Sequence, residues 1–573
     1  MINEKELYKL WLEKAVGDND LVTELNSIKD DNEAIKDRFY RDLEFGTGGL
    51  RGVIGAGSYR MNIYTIRRAT QGLADYVNET FSNGSVAIAY DSRIKSDIFA
   101  KEAASVLAAN GIKVYIYPEL MPTPMLSFAV RELKCSAGIV VTASHNPAKY
   151  NGYKVYGADG CQITLEAAEI MTNKINSVEM FGGAKIMSFE DGIKEEKIEI
   201  IAQSVFDKYI EKVKEQGIHT DLCASSGLKV VYTPLNGTGN KPVRAILNKI
   251  GISDVTVVPE QENPDGNFTT CPFPNPEIKE ALAVGLELCE KVKPDLLLAT
   301  DPDCDRVGIA VPSPDGSYVL FSGNEVGAML FEYIASERTK LKTMPQNPIC
   351  VKTIVTTDIV KKIAEEYGVE IIDVLTGFKF IGEQIGFLET KNQENRYIFG
   401  FEESYGYLAG SYVRDKDAVV ASMLICEMAA FYRTKGISLI QAREEMYKKY
   451  GVYVHSQKSF TCEGAAGMEK MKELMTMLRE QTPSEIGGLK VLKFADYVSG
   501  IEINKENNTE SKLTLPKSDV LAFTLTNDAS VIIRPSGTEP KIKAYYTTTG
   551  KTMDDAKALE DKISSDFQKI LGF

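Results

Sequence analysis

Four short stretches of this chain hold residue types that do chemistry together. The first is Thr142-Ala143-Ser144-His145-Asn146-Pro147, reached directly from the apolar pair Val140-Val141. A serine hydroxyl is a weak nucleophile until a base or a metal activates it. His145 is its neighbour in sequence, and Lys154 follows ten residues later. The stretch lacks both glycines of the hydrolase pattern G-x-S-x-G. The same residues would also serve as a plain turn.

The second is Leu296-Leu297-Leu298-Ala299-Thr300-Asp301-Pro302-Asp303-Cys304-Asp305-Arg306. Three carboxylates at alternate positions leave a run that reads as a buried strand, so all three can converge on one hard cation. Oxygen ligands favour Mg²⁺, Mn²⁺ or Ca²⁺ over zinc or copper. An EF-hand would need Gly and Glu where this loop has Arg306 and Pro312, so that reading fails. Crowded aspartates repel one another unless a cation lies between them. On the alternation, Cys304 points away from that cation. Arg306 implies a phosphate nearby.

The third, Phe399-Gly400-Phe401-Glu402-Glu403-Ser404-Tyr405-Gly406-Tyr407, offers paired acceptors and a hydroxyl, which suit a polyhydroxylated ligand such as a sugar. The fourth, Arg534-Pro535-Ser536-Gly537-Thr538-Glu539-Pro540-Lys541, gathers the groups that wrap a phosphate dianion. A glycine-dense loop with one arginine, Phe45-Gly46-Thr47-Gly48-Gly49-Leu50-Arg51-Gly52, allows close backbone approach to an anion but matches no Walker or dinucleotide pattern.

The elements that must position these loops follow from periodicity. Val86–Tyr90, ending in Asp91-Ser92-Arg93, and Lys113–Tyr117 read as strands separated by a helix and Gly111; a further helix and strand feed Ser144. Lys229–Tyr232 with Val255–Val258, and Ile349–Val355 with Val369–Ile372, repeat the plan of strand, helix, glycine and strand. The expected fold is α/β: three tandem related α/β domains with mixed, mainly parallel sheets, then a C-terminal α+β domain, arranged around a central cleft. The boundaries are set at 1–205, 206–320, 321–455 and 456–573. Residues 1 to about 40 read as helix, with Leu7, Leu10, Trp11 and Ala15 on one apolar face. In the last domain, a helix is expected over 463–480, an exposed loop at Asn504–Asn508, antiparallel strands at Val531–Ile533 and Ile542–Tyr546, and a closing helix from Met553. Each of the four loops lies just after a strand that should be buried, which is where open α/β sheets bind ligands.

A chain of 573 residues needs several cores. Its net charge of −14 opposes nucleic acid or an anionic membrane as main partner, yet permits a small anionic substrate. No uninterrupted apolar run of about 18 residues or more occurs. The N-terminus lacks the apolar core of a signal peptide. Nine scattered cysteines fit a reducing compartment, and a cytoplasmic location is expected. The presence of only three histidines argues against a His-rich zinc site.

Thr142–Pro147, Asp301–Arg306, Gly400–Ser404 and Arg534–Thr538 occur in the order and approximate spacing of the α-D-phosphohexomutases, and the chain resembles that family from Gly46 to its C-terminus. The resemblance implies a phosphoserine at Ser144 and Mg²⁺ bound by Asp301, Asp303 and Asp305 against that phosphate. It implies transfer to a sugar phosphate through a bound glucose 1,6-bisphosphate. Arg51, His145, Lys154 and Arg306 would surround the moving phosphoryl group, with Lys154 or His145 handling protons. Glu402 and Ser404 would contact sugar hydroxyls. Thr376, Gly377 and Lys379 would form a further substrate loop. Arg534, Ser536, Gly537 and Thr538 would grip the phosphate that is not reacting, in a fourth domain that closes on it. Glu-Glu-Ser resembles the branch acting on glucose phosphates, with mannose and pentose phosphates as alternatives. A metal-dependent sugar phosphatase is the rival of a different class. The partner expected is a small sugar phosphate, for a monomer or homodimer.

Overall fold

The computed structural model describes residues 3–46, 48–462, 467–535 and 541–573. Before the first sheet come three short helices, where one was expected: α1 (Glu4–Lys14), α2 (Asn19–Ser27) and α3 (Asn32–Phe39). Asn3, Asp18 and Asp31 each cap a helix by accepting a backbone N–H, which breaks the continuous reading at Asp18 and Asp31. Trp11 and Ala15 are buried as expected, but Leu10 is exposed. Tyr8 takes the inner place, its hydroxyl donating to Leu25 O at 2.8 Å.

The first sheet contains β1 (Gly49–Val53), β2 (Ser85–Tyr90), β3 (Lys113–Ile116), β4 (Ala137–Val141), β5 (Tyr150–Gly157) and β6 (Ile198–Ile200), in the order β1-β5-β4-β2-β3-β6. β2 pairs in parallel with both β3 and β4, and β3 with β6, while β4–β5 and β5–β1 are antiparallel. Helices Ser96–Ala109 and Thr123–Glu132 supply the crossovers that parallel pairing demands. β4 is buried at every position, as its unbroken apolar run requires.

The second sheet repeats the scheme. It contains β7 (Val230–Thr233), β8 (Val255–Val257), β9 (Leu296–Thr300), β10 (Val307–Pro312) and β11 (Tyr318–Phe321), ordered β11-β10-β9-β7-β8. β7 is parallel to β8 and β9, whereas β9–β10 and β10–β11 are antiparallel. Further on, β12 (Ile349–Thr353) pairs in parallel with β13 (Glu370–Val374), and β14 (Tyr397–Glu402) pairs antiparallel with β15 (Gly406–Leu408). The first three expected loops therefore occupy one recurring position: a buried strand turning back into an antiparallel partner. Each carries a non-glycine residue in the left-handed region: Ser144 (φ 51°), Cys304 (φ 51°) and Tyr405 (φ 65°).

The C-terminal region adds β16 (Val452–Thr461), β17 (Glu485–Ile486), β18 (Leu489–Asp496), β19 (Ile501–Asn504), β20 (Thr509–Lys512), β21 (Leu521–Leu525), β22 (Ser530–Pro535) and β23 (Lys541–Gly550). They form an antiparallel sheet ordered β16-β23-β22-β21-β18-β19-β20, with β17 paired to β18. Helices Gly467–Glu480 and Met553–Ile570 pack on it through Met471, Met475, Leu478, Ile563 and Phe567. The α+β expectation, the β22–β23 pairing and the Asn504–Asn508 turn all agree with the structure.

The chain divides into two compact units. One comprises the residues up to 323 together with 378–437. The other comprises 324–377 together with 438–573.

Candidate functional site

The β4–β5 and β9–β10 hairpin loops meet in the first unit. Ser144 Oγ donates to Asp301 Oδ2 at 2.8 Å and lies 3.3 Å from His145 Nδ1. The left-handed backbone of Ser144 costs an L-residue roughly 1–2 kcal/mol. Contacts on both sides of the residue hold it. Thr142 Oγ1 accepts the Ser144 N–H at 2.9 Å, and the Arg93 guanidinium donates to the Ser144 carbonyl. Gly152, on the adjoining strand, is required by close approach: a Cβ there would lie 2.4 Å from the Thr142 carbonyl oxygen.

Asp301, Asp303 and Asp305 are all buried, and one ligand atom from each lies within 4.8 Å of the others. The loop is internally braced, since Asp301 Oδ1 accepts the N–H groups of Asp305 (3.1 Å) and Arg306 (3.0 Å). Asp303 Oδ2 takes Thr123 Oγ1 at 2.9 Å and Lys154 Nζ at 3.1 Å. Lys416 Nζ lies 3.1 Å from Asp305 Oδ2 and 3.0 Å from Asp415 Oδ1. Tyr156 OH donates to Asp415 Oδ2 at 2.6 Å.

Burial and the repulsion of Asp303 and Asp305 push the Asp301 carboxyl well above the ordinary carboxylate range. Burial and Asp303 also raise Asp305, against the pull of Lys416 and Lys154. Burial works the same way on Asp303, but Lys154 and the hydrogen bonds it accepts hold it below the ordinary range. Burial would lower Lys154, and the attraction of Asp303 and Asp305 more than reverses this. His145 is pushed well below the usual imidazole value by burial, then by Arg306, with Arg93 and Lys154 adding to the effect. Its ring therefore stands neutral, edge-on to Phe273.

This donor set fits a hard divalent cation. Asp303 Oδ1 and Asp305 Oδ1 are buried with no hydrogen-bond partner, and all three side chains offer only oxygen. Cys304 stays out of the cluster, as the alternation requires: its buried Sγ lies against Gly239.

The third loop docks on the second. Arg306 and Gly406 form a β-bridge, Val307 N donates to Tyr405 O at 3.1 Å, and Arg306 Nη1 donates to Ser404 O at 3.1 Å. Arg306 also pairs with Glu277 at 2.6 Å, so its guanidinium is engaged by protein groups where a phosphate was expected. Glu402 is buried, and its charge raises the proton affinity of both Arg306 and Lys416.

Ser144, His145, Lys154, Asp301, Asp303, Asp305, Arg306 and the Ser404 backbone thus come together. Arg51 is exposed on β1 opposite Gly152. Lys379 is the second residue of the helix Phe378–Glu389, beside Cys161, whose Sγ lies 3.4 Å from the Lys379 carbonyl oxygen. Thr376, Gly377 and Arg534 belong to the second unit. Ser536, Gly537 and Thr538 lie outside the described residues.

Sequence reasoning missed Thr123, Glu277, Asp415 and Lys416, and passed over Asp91 and Arg93 as a strand end. One signal was available. Arg414-Asp415-Lys416-Asp417 places four consecutive charges directly before the apolar helix Ala418–Thr434, and Arg414 and Asp417 are fully buried. Charges there require partners.

Comparison with known proteins identifies the family. Family models described as phosphoglucomutase/phosphomannomutase alpha/beta/alpha domains I, II and III match residues 42–180, 207–315 and 322–450. A phosphoglucomutase of Staphylococcus saprophyticus is 37% identical, the match covering 90% of this chain and 92% of the relative. A phosphoglucomutase of Staphylococcus aureus is also 37% identical, with 96% of each chain covered. Among solved structures, a putative phosphomannomutase from Thermus thermophilus shares the fold with a TM-score of 0.68, at 22% identity over 93% of this chain and 100% of that one. The open form of parafusin from Paramecium gives 0.69 at 18% identity, over 93% and 95%. By the matches to all three domain models and the near-full-length identity to these relatives, the chain belongs to the phosphoglucomutase/phosphomannomutase family.

Proposed function

We propose that this protein interconverts α-D-glucose 1-phosphate and glucose 6-phosphate, using Ser144 as the phosphate carrier and glucose 1,6-bisphosphate as the bound intermediate. The observation that carries the reading is the 2.8 Å contact between Ser144 Oγ and Asp301 within an all-aspartate cluster. A serine aimed at a hard-cation site suits phosphoryl transfer better than acyl transfer. The relatives named phosphoglucomutase favour glucose phosphates over mannose or pentose phosphates.

Asp301, Asp303 and Asp305 would hold Mg²⁺, which when bound neutralises charge on the phosphoryl oxygens. The rest of the chemistry falls to the chain's own residues. In the forward half, the bond from phosphorus to Ser144 Oγ breaks and a bond from phosphorus to the O6 oxygen of glucose 1-phosphate forms. The hydroxyl proton leaves for a basic group and Ser144 Oγ regains one. Of the two proton handlers, Lys154, charged beside Asp303, would supply a proton, and His145, neutral at 3.3 Å from Oγ, would take one up. The bisphosphate then turns over, and its other phosphate returns to Ser144. Arg51 would stabilise the moving charge directly; Arg306, whose guanidinium is held by Glu277 and Ser404 O, would add positive potential beside it. Glu402 and Ser404 read sugar hydroxyls, with Thr376, Gly377 and Lys379 as a further contact. Arg534, Ser536, Gly537 and Thr538 bind the idle phosphate.

A coupled assay tests this: glucose 1-phosphate, Mg²⁺ and a trace of glucose 1,6-bisphosphate should yield glucose 6-phosphate with little inorganic phosphate. Steady release of inorganic phosphate would instead identify a sugar phosphatase.

A further inference from the structure

Arg93 occupies a position that a packing role alone does not explain. It lies three residues beyond β2, and its guanidinium donates to four backbone carbonyls of one hairpin: Ser144, Asn146, Pro147 (3.0 Å) and Tyr150 (3.1 Å). The guanidinium is itself held. Asp91 Oδ2 lies 3.2 Å from Nε, and the ring of Phe268 lies 5.0 Å from the guanidinium carbon. The side chain is fully buried.

Asp91 reaches the same residue from the other side. Its Oδ2 accepts Thr142 Oγ1 at 2.6 Å, and Thr142 Oγ1 accepts the Ser144 N–H at 2.9 Å. The backbone of Ser144 is thus fixed at N–H through Thr142 and at C=O through Arg93, with one ion pair as anchor for both. None of these contacts uses Ser144 Oγ, so they persist whether or not that oxygen carries a phosphate. Phe268 belongs to the second family region and Arg93 to the first, which ties the brace to the body bearing the aspartates.

We propose that Arg93, anchored by Asp91, is the positioning residue that holds Ser144 in its left-handed conformation and aims Oγ at Asp301 in both states of the serine. The inference rests on the reading of Ser144 as phosphate carrier. Lysine keeps the charge of Arg93 but cannot present a planar fork to four carbonyls.

The test is Arg93→Lys, with Thr142→Val and Thr142→Ser as a second series. Misplacing a reacting group by about 1 Å costs on the order of 100-fold in rate. Arg93→Lys should therefore lower kcat about 100-fold, with KM for glucose 1-phosphate within about threefold of wild type, and amide exchange across 142–150 should accelerate. Thr142→Val should act the same way, and Thr142→Ser, which keeps the hydroxyl, should restore most of the rate. An Arg93→Lys enzyme with near-normal kcat, or unchanged exchange in that loop, overturns the proposal; so does Thr142→Val matching Thr142→Ser if Arg93→Lys does not fold. Amide exchange is read without any substrate, so it judges the brace even if wild type makes no glucose 6-phosphate, a result that would refute the mutase reading alone.

Discussion

Lys154→Met keeps most of the side-chain volume and removes one charge from the aspartate cluster. Nζ of Lys154 lies 3.1 Å from Oδ2 of Asp303, whose side chain has no exposure. At an effective dielectric of about 20, that separation corresponds to about 5 kcal/mol of attraction. Thr123 continues to donate to the same oxygen, and methionine avoids the burial cost of an ammonium. The net loss of stability is then about 3 kcal/mol without metal, in the range for one partner removed from a buried pair. At about 2 °C per kcal/mol for a unit of this size, melting in EDTA should fall by roughly 6 °C. Three carboxylates would then face one fewer cation, so Mg²⁺ should bind more tightly. Even about a quarter of the lost attraction, about 1.4 kcal/mol, lowers the Mg²⁺ midpoint tenfold. Activity should move the other way, dropping about 100-fold or more if Lys154 has the proton-handling role proposed for it. Thermal melts across a Mg²⁺ series, paired with the coupled assay, read both effects. A variant that melts normally in EDTA and needs as much Mg²⁺ as wild type would refute the electrostatic reasoning.

Two other perturbations have worked expectations. His455, in the second unit, has Nδ1 3.1 Å from Thr547 Oγ1 and a buried Nε2 with no partner; burial, with Lys352 adding to it, brings its pKa down to about 4. The unfolded imidazole titrates near 6.5, so the folded state binds fewer protons between these values; its stability is complete above about pH 6.5 and declines by about 3 kcal/mol as pH falls to 4. Urea unfolding of His455→Gln should show a correspondingly flatter acid limb, and an unchanged limb would assign the loss to other groups. Gly152→Ala would put a Cβ 2.4 Å from Thr142 O and 3.1 Å from Leu50 O, both backbone atoms. It should cost about 1–3 kcal/mol by overpacking and, by displacing the Ser144 loop, about 100-fold in kcat; a variant with wild-type kcat would show that the loop tolerates the shift.

What the sequence made legible was local. Leu296–Thr300 is an unbroken apolar run followed by alternating aspartates, and both the buried strand and the converging carboxylates follow from neighbouring residues alone. Ser144 was found in the same way, as the polar end of a strand. The residues that complete the site lay out of reach because their partners are distant in the chain. Arg93 meets carbonyls more than 50 residues away, and Lys416 meets Asp305 across more than 100. The charged run Arg414–Asp417 shows that Lys416 needs a partner but not which one, and nothing near Arg93 announces its pairing; the repeated hairpin plan of the sheets creates both. The N-terminal reading failed for a different reason. The reading rests on the apolar spacing within α1, and the breaks are marked by short signals, Gly17-Asp18 before α2 and Asp31 before α3.

The most direct test of the account is to locate the phosphate. Dephosphorylated protein is incubated with glucose 1,6-bisphosphate and Mg²⁺, then digested, and the modified residue is mapped by mass spectrometry. The account predicts one phosphate per chain on Ser144, discharged by excess glucose 1-phosphate and absent from an inactive Ser144→Ala variant. A phosphate mapped to another residue, or a Ser144→Ala variant that still makes glucose 6-phosphate at the wild-type rate, would contradict it.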